Sequence, residues 1–210
     1  MQQRIFWRNQ AATVLKNAAR RGMDGQYFET KEEAASYLLG LVCPGMKVGI
    51  GGTQTLEEMG VKKALSERTD IQVYMSRHDV TPQQQEEIYR ESLLSDLYLM
   101  SSNAITLDGE LFNIDGRGNR MAALCYGPKQ VYVVAGMNKI TADLQSAVKR
   151  ARNTASPANC NRLDIPSPCS KTGRCSNCMN TTICSQFVYT RHSGTPGRIH
   201  LILVGEELGY

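Results

Sequence analysis

The sequence predicts an α/β protein with an open, mostly parallel sheet that carries helices on both faces. Short apolar runs alternate with segments of helical period over most of the chain, which is typical of parallel strands joined by crossover helices. Loops rich in glycine, asparagine and serine follow several of these apolar runs. The 210 residues are enough to bury a core without disulfides. We therefore expect a single domain over residues 1–210.

One segment departs from this alternation. Between residues 154 and 198 proline, asparagine, glycine and cysteine dominate. We expect an irregular, cysteine-bearing insertion within the domain, stabilised by something other than an apolar core.

Helical spacing and end signals predict six helices. Thr30 with Glu33 forms a capping box, and Thr81 followed by Pro82 is a typical helix start. Lys149, Arg150 and Arg152 suit the last turn of a helix, where they are interpreted as solvated surface. The predicted helices cover residues 1–22, 30–44, the stretch after Thr53, 81–94, the stretch after Asn119, and 141–153.

Five apolar runs predict the strands of the sheet, and a hairpin is predicted separately. The segment ITLDGELFNI places Asp-Gly between two apolar runs, which favours a two-residue turn with positive φ. The predicted strands of the sheet are residues 46–50, 71–75, 97–100, 131–135 and 199–204.

Composition narrows the class of protein. Apolar residues make up 41% and charged residues 21%, as expected of a folded globular chain. No run is long enough to cross a bilayer and the first residues lack a signal-peptide pattern, so a cytoplasmic location is expected. The net charge of +4 is spread along the chain, so no nucleic-acid partner is expected. The first helix is expected to serve packing or subunit contact, which allows a homo-oligomer.

The strand exits carry the candidate binding residues. Glycines, Thr53 and Thr55 near the end of the 46–50 strand can present backbone N–H groups to an anion, although a tight turn without a ligand explains them equally well. In NIDGRGNR, Arg117 or Arg120 can hold a carboxylate or phosphate, and Asp115 can orient a hydroxyl or act as a base. The alternative is a turn in which Asp115 caps the backbone while the arginines form surface ion pairs. Asp115 and Arg120 are the catalytic candidates. The predicted ligand-binding residues are Gly51, Gly52, Thr53, Ser102, Asn103, Asp115, Gly116, Gly118, Asn119, Arg120, Asn138 and Lys139.

Four cysteines predict a metal site in the 154–198 segment. Their pattern is C-x5-C-x2-C-x5-C, at Cys169, Cys175, Cys178 and Cys184. Zinc bound by four thiolates and a [4Fe–4S] cluster both fit this spacing. Cys160 is a spare that can replace one ligand. The alternative is a set of reduced surface thiols or a redox pair.

Four stretches of the sequence resemble the LUD domain of lactate utilization proteins. They are GGTQTLEEMG, SSNAITLDGELFNIDGRGNRMAA, GPKQVYVVAGMNKI and ILVGEELG, and the resemblance runs from about residue 7 to the last residue. It implies a fold like that of ribose-phosphate isomerases, glucosamine-phosphate deaminases and CoA transferases. It also implies a place in the oxidation of L-lactate to pyruvate, beside iron–sulfur partner proteins in a cytoplasmic complex.

Three functions from different classes follow from these observations. The first is a protein of L-lactate or other 2-hydroxy acid utilization that binds a small anionic metabolite at the strand exits. The second is an accessory or assembly protein that docks an iron–sulfur redox partner. The third is a sugar-phosphate isomerase or a CoA-transferase-like enzyme, for which Glu110 is the candidate nucleophile.

Overall fold

The computed structural model describes residues 2–210, in which helices and strands alternate. The helices are α1 (Gln2–Ala19), α2 (Lys31–Gly40), α3 (Gln54–Glu58), α4 (Val61–Ser66), α5 (Pro82–Ser92), α6 (Asn119–Cys125), α7 (Leu144–Arg150), α8 (Ser156–Arg162) and α9 (Pro168–Thr172). The strands are β1 (Asp24–Phe28), β2 (Lys47–Ile50), β3 (Gln72–Tyr74), β4 (Leu97–Met100), β5 (Ala104–Thr106), β6 (Leu111–Asp115), β7 (Gln130–Gly136), β8 (Ile140–Thr141), β9 (Gln186–Thr190) and β10 (Ile199–Val204). Residue 1 of the first predicted helix lies outside the described residues.

The main sheet has six strands in the order β1-β10-β7-β4-β2-β3, and every neighbouring pair is parallel. This confirms the predicted fold class. All five predicted strands are present, and β1 is the sixth. Its sequence DGQYF is largely polar and its residues are exposed or half-buried, as an edge strand allows, so it lacks the apolar run that identifies the others.

Helices cover both faces of this sheet. Alternate residues of each central strand point to opposite sides, so Tyr98 and Met100 pack with α1 and α6 while Leu97 and Leu99 pack with α2, α3 and α4. Both capping boxes form, at Thr30 and at Thr81. The helix predicted after Thr53 is divided into α3 and α4 by Gly60, which adopts a positive φ of 71°.

A second sheet, which the sequence did not predict as a unit, has the order β8-β5-β6-β9. It contains the predicted hairpin of β5 and β6, but the turn is longer than expected. The Thr106 N–H donates to the carbonyl of Glu110 at 2.9 Å, so three residues form the loop instead of two. Gly109 takes a φ of 77°, and a Cβ there would lie 2.4 Å from the backbone nitrogen of Ala18. The hairpin therefore needs this glycine to pack against α1.

The cysteine-bearing segment is more regular than predicted. Five residues of π-helix, Ala151–Ala155, join α7 to α8, so helical structure continues to Arg162 instead of ending near residue 153. Helix α9 and strand β9 lie further along, and β9 pairs with β6. Irregular backbone is concentrated between α9 and β9.

None of the helices described combines the length and the apolar character that a bilayer crossing requires.

Candidate functional site

The candidate site lies where the central parallel strands end. From β2 the chain proceeds to β3 on one side, whereas β4 lies on the other side of β2 and leads towards β7. Such a reversal of strand order opens a crevice at the carboxyl ends of the strands, where ligands of open α/β sheets bind. Gly51 and Ser101 directly follow β2 and β4, and a 3-10 turn ending at Lys139 follows β7. The predicted convergence of these three strand exits is present.

Lys139 is the most unusual residue of this region. Only 3% of its surface is exposed, and its ammonium nitrogen donates to Oγ1 of Thr55 at 2.8 Å and to Oγ of Ser101 at 2.9 Å. Within residues 2–210 no carboxylate lies within ion-pair distance of it. Burial lowers the pKa of Lys139 from 10.5 to about 7, and the positive charges of Arg150 and Arg120 act in the same direction.

A second cation, Arg150, reaches the same strand exits. Its Nε donates to the carbonyl of Asn138 at 2.9 Å and its Nη1 to the carbonyl of Asn103. Burial lowers the pKa of Arg150, and no ion pair is found for it in the described part of the chain. The interpretation of Arg150 as solvated helix surface was therefore wrong. It lies three residues after the buried Ala147, on the same helical face, and this spacing was the available indication.

Asp115 holds the turn that follows β6. Its side chain is buried, at 8% exposed, and Oδ1 accepts the backbone N–H groups of Arg117 at 3.1 Å and Gly118 at 2.7 Å. Oδ2 accepts Nε of Arg120 at 3.1 Å. This is the alternative in which Asp115 caps the backbone. All of these bonds stabilise the loop, so Asp115 here is a structural carboxylate instead of an exposed base.

Arg120, predicted as a clamp for an anion, uses its N–H groups within the protein. Its side chain is 11% exposed. Nη1 donates to the carbonyl of Ser101 at 2.9 Å and to Oδ1 of Asn113 at 2.8 Å. Nη2 donates to the carbonyl of Ile114 at 2.8 Å and to Oδ1 of Asn103 at 3.5 Å. With its Nε bound to Asp115, each of its five N–H groups has an acceptor, so Arg120 positions the loops of the site. The expected surface ion pair is also absent, because the Asp115–Arg120 pair is buried.

The other predicted ligand-binding residues lie in the segments that follow the strands. Gly51 packs on Arg120, since a Cβ there would lie 3.1 Å from its Cδ, and Gly52 faces open space. The Thr53 hydroxyl is buried and makes no hydrogen bond within the described residues. The remaining predicted positions order the loops. The Ser102 hydroxyl donates to the carbonyl of Ala104, and the Asn103 side chain accepts the N–H of Ile114. Gly116 lies close to the carbonyl of Ile183. Gly118 precedes α6 with a φ of 89°, and Asn119 is the first residue of that helix.

A short closing segment, Leu208–Tyr210, covers Lys139. The Thr55 hydroxyl donates to the carbonyl of Leu208 at 3.3 Å, and the side chain of Asn138 bonds to both Leu208 and Gly209. The Gly209 N–H donates to a carboxylate oxygen of Glu58 at 2.8 Å. A Cβ on Gly209 would come within 3.3 Å of the Lys139 nitrogen. The sequence did not indicate Ser101, Glu58 or this segment, because their contacts depend on distant parts of the chain.

The four cysteines predicted as metal ligands are not gathered in this structure. The sulfurs of Cys169 and Cys160 lie 3.8 Å apart, so the predicted spare is the neighbour of the first ligand. Cys175 lies apart from this pair in the contacts described, with its sulfur 3.3 Å and 3.4 Å from two guanidinium nitrogens of Arg152. Among residues 2–210 no three His, Cys, Asp or Glu side chains form a group that could hold a metal ion.

We expect Arg120→Met to destabilise the fold strongly. The substitution leaves the buried Asp115 carboxylate without its cation and removes the donor to Asn113, at a cost of about 3–5 kcal/mol in the free energy of unfolding. Urea denaturation measures this. Arg117→Met is the matched control, because Arg117 is exposed and should be replaceable with little effect. Equal stability of the two variants would show that Arg120 does not hold the loops.

Lys139 makes a pH-dependent contribution to stability. Its pKa is about 7 in the folded chain and ordinarily 10.5, so between these values the unfolded chain binds the additional proton. The free energy of unfolding should therefore rise with pH across this window, by up to about 1.4 kcal/mol per pH unit, and the contribution should be least favourable below pH 7. In urea denaturation at several pH values, Lys139→Met should lack this rise. Parallel pH profiles for the two proteins would contradict the burial of a titrating amine.

Comparison with known proteins places this geometry in a family. The model of the LUD domain matches residues 11–204. A DUF162 family protein from Deinococcus radiodurans superposes with a TM-score of 0.53 at 12% identity, covering 94% of this chain and 98% of that one. Two subunits of eIF2B from Chaetomium thermophilum also align. The beta subunit has a TM-score of 0.37 at 17% identity, covering 54% of this chain and 39% of that one. The delta subunit has a TM-score of 0.35 at 13% identity, covering 58% of this chain and 54% of that one.

No curated protein matches the sequence. The LUD family is associated with lactate utilization. Because the family model matches most of the sequence and the fold agrees with that of the Deinococcus protein, the chain belongs to the LUD domain family.

Proposed function

We propose that the chain binds a small carboxylate of the 2-hydroxy acid or 2-oxo acid class, such as L-lactate or pyruvate, at the carboxyl ends of β2, β4 and β7. One observation carries the proposal. Two buried or half-buried cations, Lys139 and Arg150, converge on these strand ends without a carboxylate partner in the described chain. The family's association with lactate utilization agrees with a ligand of this size and charge.

Electrostatics explains why this arrangement favours an anion. Burying a positive charge is costly unless an opposite charge compensates it, and protein interiors normally supply a carboxylate for this purpose. Here hydroxyl groups and backbone carbonyls surround Lys139 and Arg150 instead. A bound carboxylate would replace the missing counter-charge, and a bidentate bond to Arg150 would orient it.

The hydroxyl groups around Lys139 suit the second oxygen of the ligand. Thr55 and Ser101 lie within hydrogen-bond distance of the amine, and the buried Thr53 hydroxyl lacks a partner in the described residues. Hydroxyls both donate and accept, so they can recognise the oxygen at carbon 2 of a 2-hydroxy acid or a 2-oxo acid. Entry of the ligand requires the closing segment, Leu208–Tyr210, to move away from Lys139.

The CoA-transferase alternative receives less support. Its candidate nucleophile, Glu110, forms an ion pair with Arg21 at 2.9 Å and accepts the hydroxyl of Tyr189 at 2.6 Å. These contacts belong to the hairpin side of the second sheet, and no hydrogen bond links Glu110 to Lys139 within residues 2–210. A carboxylate held in this way is poorly placed to attack a thioester.

Calorimetric titration with L-lactate and pyruvate tests the proposal. We expect both Lys139→Met and Arg150→Met to weaken binding by roughly tenfold or more, because each removes a charge from the carboxylate. Affinity for the unmodified protein should fall as the pH rises above about 7, where Lys139 loses its proton.

Lys149→Met is the control, because Lys149 is exposed on the same helix. If neither acid binds, or if all three variants bind equally, the proposed site is wrong. Ribose 5-phosphate and a CoA ester, tested in parallel, assess the enzyme alternatives. Turnover by the isolated chain would contradict the alternative of an accessory protein.

We also propose that the cysteine segment binds a metal, either zinc or a [4Fe–4S] cluster. Residues 174–184 form neither helix nor strand, and side-chain hydrogen bonds such as those from Arg152 to Cys175 and Asn177 connect them to the rest of the described structure. Cys169 and Cys160 already lie 3.8 Å apart, which equals the separation of two sulfurs on a tetrahedral zinc ion with Zn–S bonds of about 2.3 Å. A metal would draw Cys175, Cys178 and Cys184 to Cys169, with Cys160 able to replace one of these four ligands, and would stabilise the segment.

Metal analysis and an absorption spectrum after anaerobic purification test this proposal. A bound cluster should give a coloured protein with iron and sulfide, whereas zinc should leave the protein colourless. Cys178→Ser should lower the metal content severalfold. Cys43→Ser is the matched control, because Cys43 is an exposed cysteine remote from the segment in sequence. Metal-free unmodified protein, or an equal loss in the control, would contradict the proposal.

A further inference from the structure

The hydrogen bonds of Lys139 allow its ammonium ion to lose one proton and become a neutral amine. An ammonium group has three N–H donors, whereas a neutral amine has two donors and one lone pair. The structure provides two acceptors, the hydroxyl oxygens of Thr55 and Ser101, and within residues 2–210 no third hydrogen bond is formed by this nitrogen. The site therefore satisfies both N–H groups of a neutral amine and leaves its lone pair free.

The surroundings of Lys139 also oppose its positive charge. The side chain is almost fully buried, and the guanidinium groups of Arg150 and Arg120 raise the energy of a third cation near them, whereas the carboxylate of Glu58 favours the cation more weakly. Burial and neighbouring cations are the two means by which proteins convert a lysine into a nucleophile. In an anion site of the kind proposed above, Arg150 can bind the carboxylate while the amine attacks a carbon atom next to it.

We propose that Lys139 is a nucleophile that forms an imine with the carbonyl carbon of a 2-oxo acid. This inference rests on the proposed function, because it requires the carboxylate to bind beside Arg150. It narrows the reactive ligand class to 2-oxo acids, since a 2-hydroxy acid has no carbonyl carbon to accept the amine. Within this class pyruvate is the smallest member that carries a ketone carbonyl.

The chemical step is balanced without an oxidant or a reductant. The lone pair of Lys139 attacks the carbonyl carbon, a C–N bond forms, and the carbonyl oxygen becomes the hydroxyl of a carbinolamine. The nitrogen loses its protons, one to that oxygen during addition and one during dehydration, and the oxygen leaves as water when the C=N bond forms. Thr55 and Ser101 lie close enough to the nitrogen to relay these protons.

The closing segment contributes by controlling access of water. Gly209 lies directly over the Lys139 nitrogen, and the bonds from Thr55, Asn138 and Glu58 hold Leu208 and Gly209 in place. Because water hydrolyses imines, a segment that opens for the ligand and closes over the product would prolong the life of the adduct.

Reductive trapping tests the inference. The full-length protein is incubated with pyruvate and sodium cyanoborohydride, which reduces an imine to a stable amine, and its intact mass is measured. We expect one adduct per chain, with a mass gain of one pyruvate minus one water plus two hydrogens, and peptide mapping should place it on Lys139. At a pyruvate concentration that saturates the site, the initial rate of trapping should increase with pH up to about 7, as Lys139 loses its proton.

Three controls make the outcome decisive. Lys139→Met should lose at least nine-tenths of the adduct, Lys149→Met should retain it, and L-lactate should produce none. An adduct that persists in Lys139→Met, or that is spread over surface lysines, overturns the inference. Pyruvate binding by calorimetry without any adduct also overturns it while leaving the proposed function intact. If pyruvate neither binds nor reacts, both proposals fail.

Discussion

The burial of positive charge at the ends of parallel strands is the constraint on which this structure depends. Parallel β2, β4 and β7 direct their carboxyl ends to one edge, and the residues that follow them enclose Lys139 and Arg150. Neither cation has a carboxylate partner in the described chain. A fold selected for stability alone would place apolar side chains or a compensating acid there, since uncompensated charge in an interior reduces stability. The arrangement is understandable if a ligand supplies the missing charge, because functional sites commonly retain such costs.

Arg120 holds the loops next to Lys139, but it makes no hydrogen bond to Lys139 within residues 2–210. Its guanidinium connects the exit of β4, through the carbonyl of Ser101, with the end of β6, through Ile114 and Asp115. The same residue, Ser101, uses its side-chain hydroxyl to contact Lys139. Arg120 therefore holds the carbonyl group of Ser101, while the hydroxyl group of Ser101 accepts a hydrogen bond from Lys139. Such a supporting contact restricts the position of the reactive group, which a site of this kind requires.

The parts of the fold that the sequence predicted are those determined by local physical chemistry. Strands β2, β4, β7 and β10 were identifiable because most of their residues are buried and apolar, and the capping boxes marked two helix starts. Strand β3 is an exposed or half-buried edge strand, but residues 71–75 are mainly apolar. Strand β1 was missed because an edge strand needs no apolar run. The hairpin was predicted, but its turn length depends on how Gly109 packs against α1, a contact remote in sequence. The site followed the same rule. The sequence indicated the loops at the strand ends as a site, which stays a prediction, whereas the separate contacts of Arg120, Lys139 and Arg150 depend on which groups surround each cation after folding.

The π-helical segment Ala151–Ala155 lies between α7 and α8, and it changes the direction in which the side chains beyond it point around the helix axis. An α-helix turns by about 100° per residue, so the additional residue in a π turn offsets everything beyond it by about that angle. Arg150, before the offset, faces the strand exits, while Cys160, after it, faces Cys169 of α9. Arg150 and Cys160 thus lie on one continuous run of helical backbone but face different surroundings.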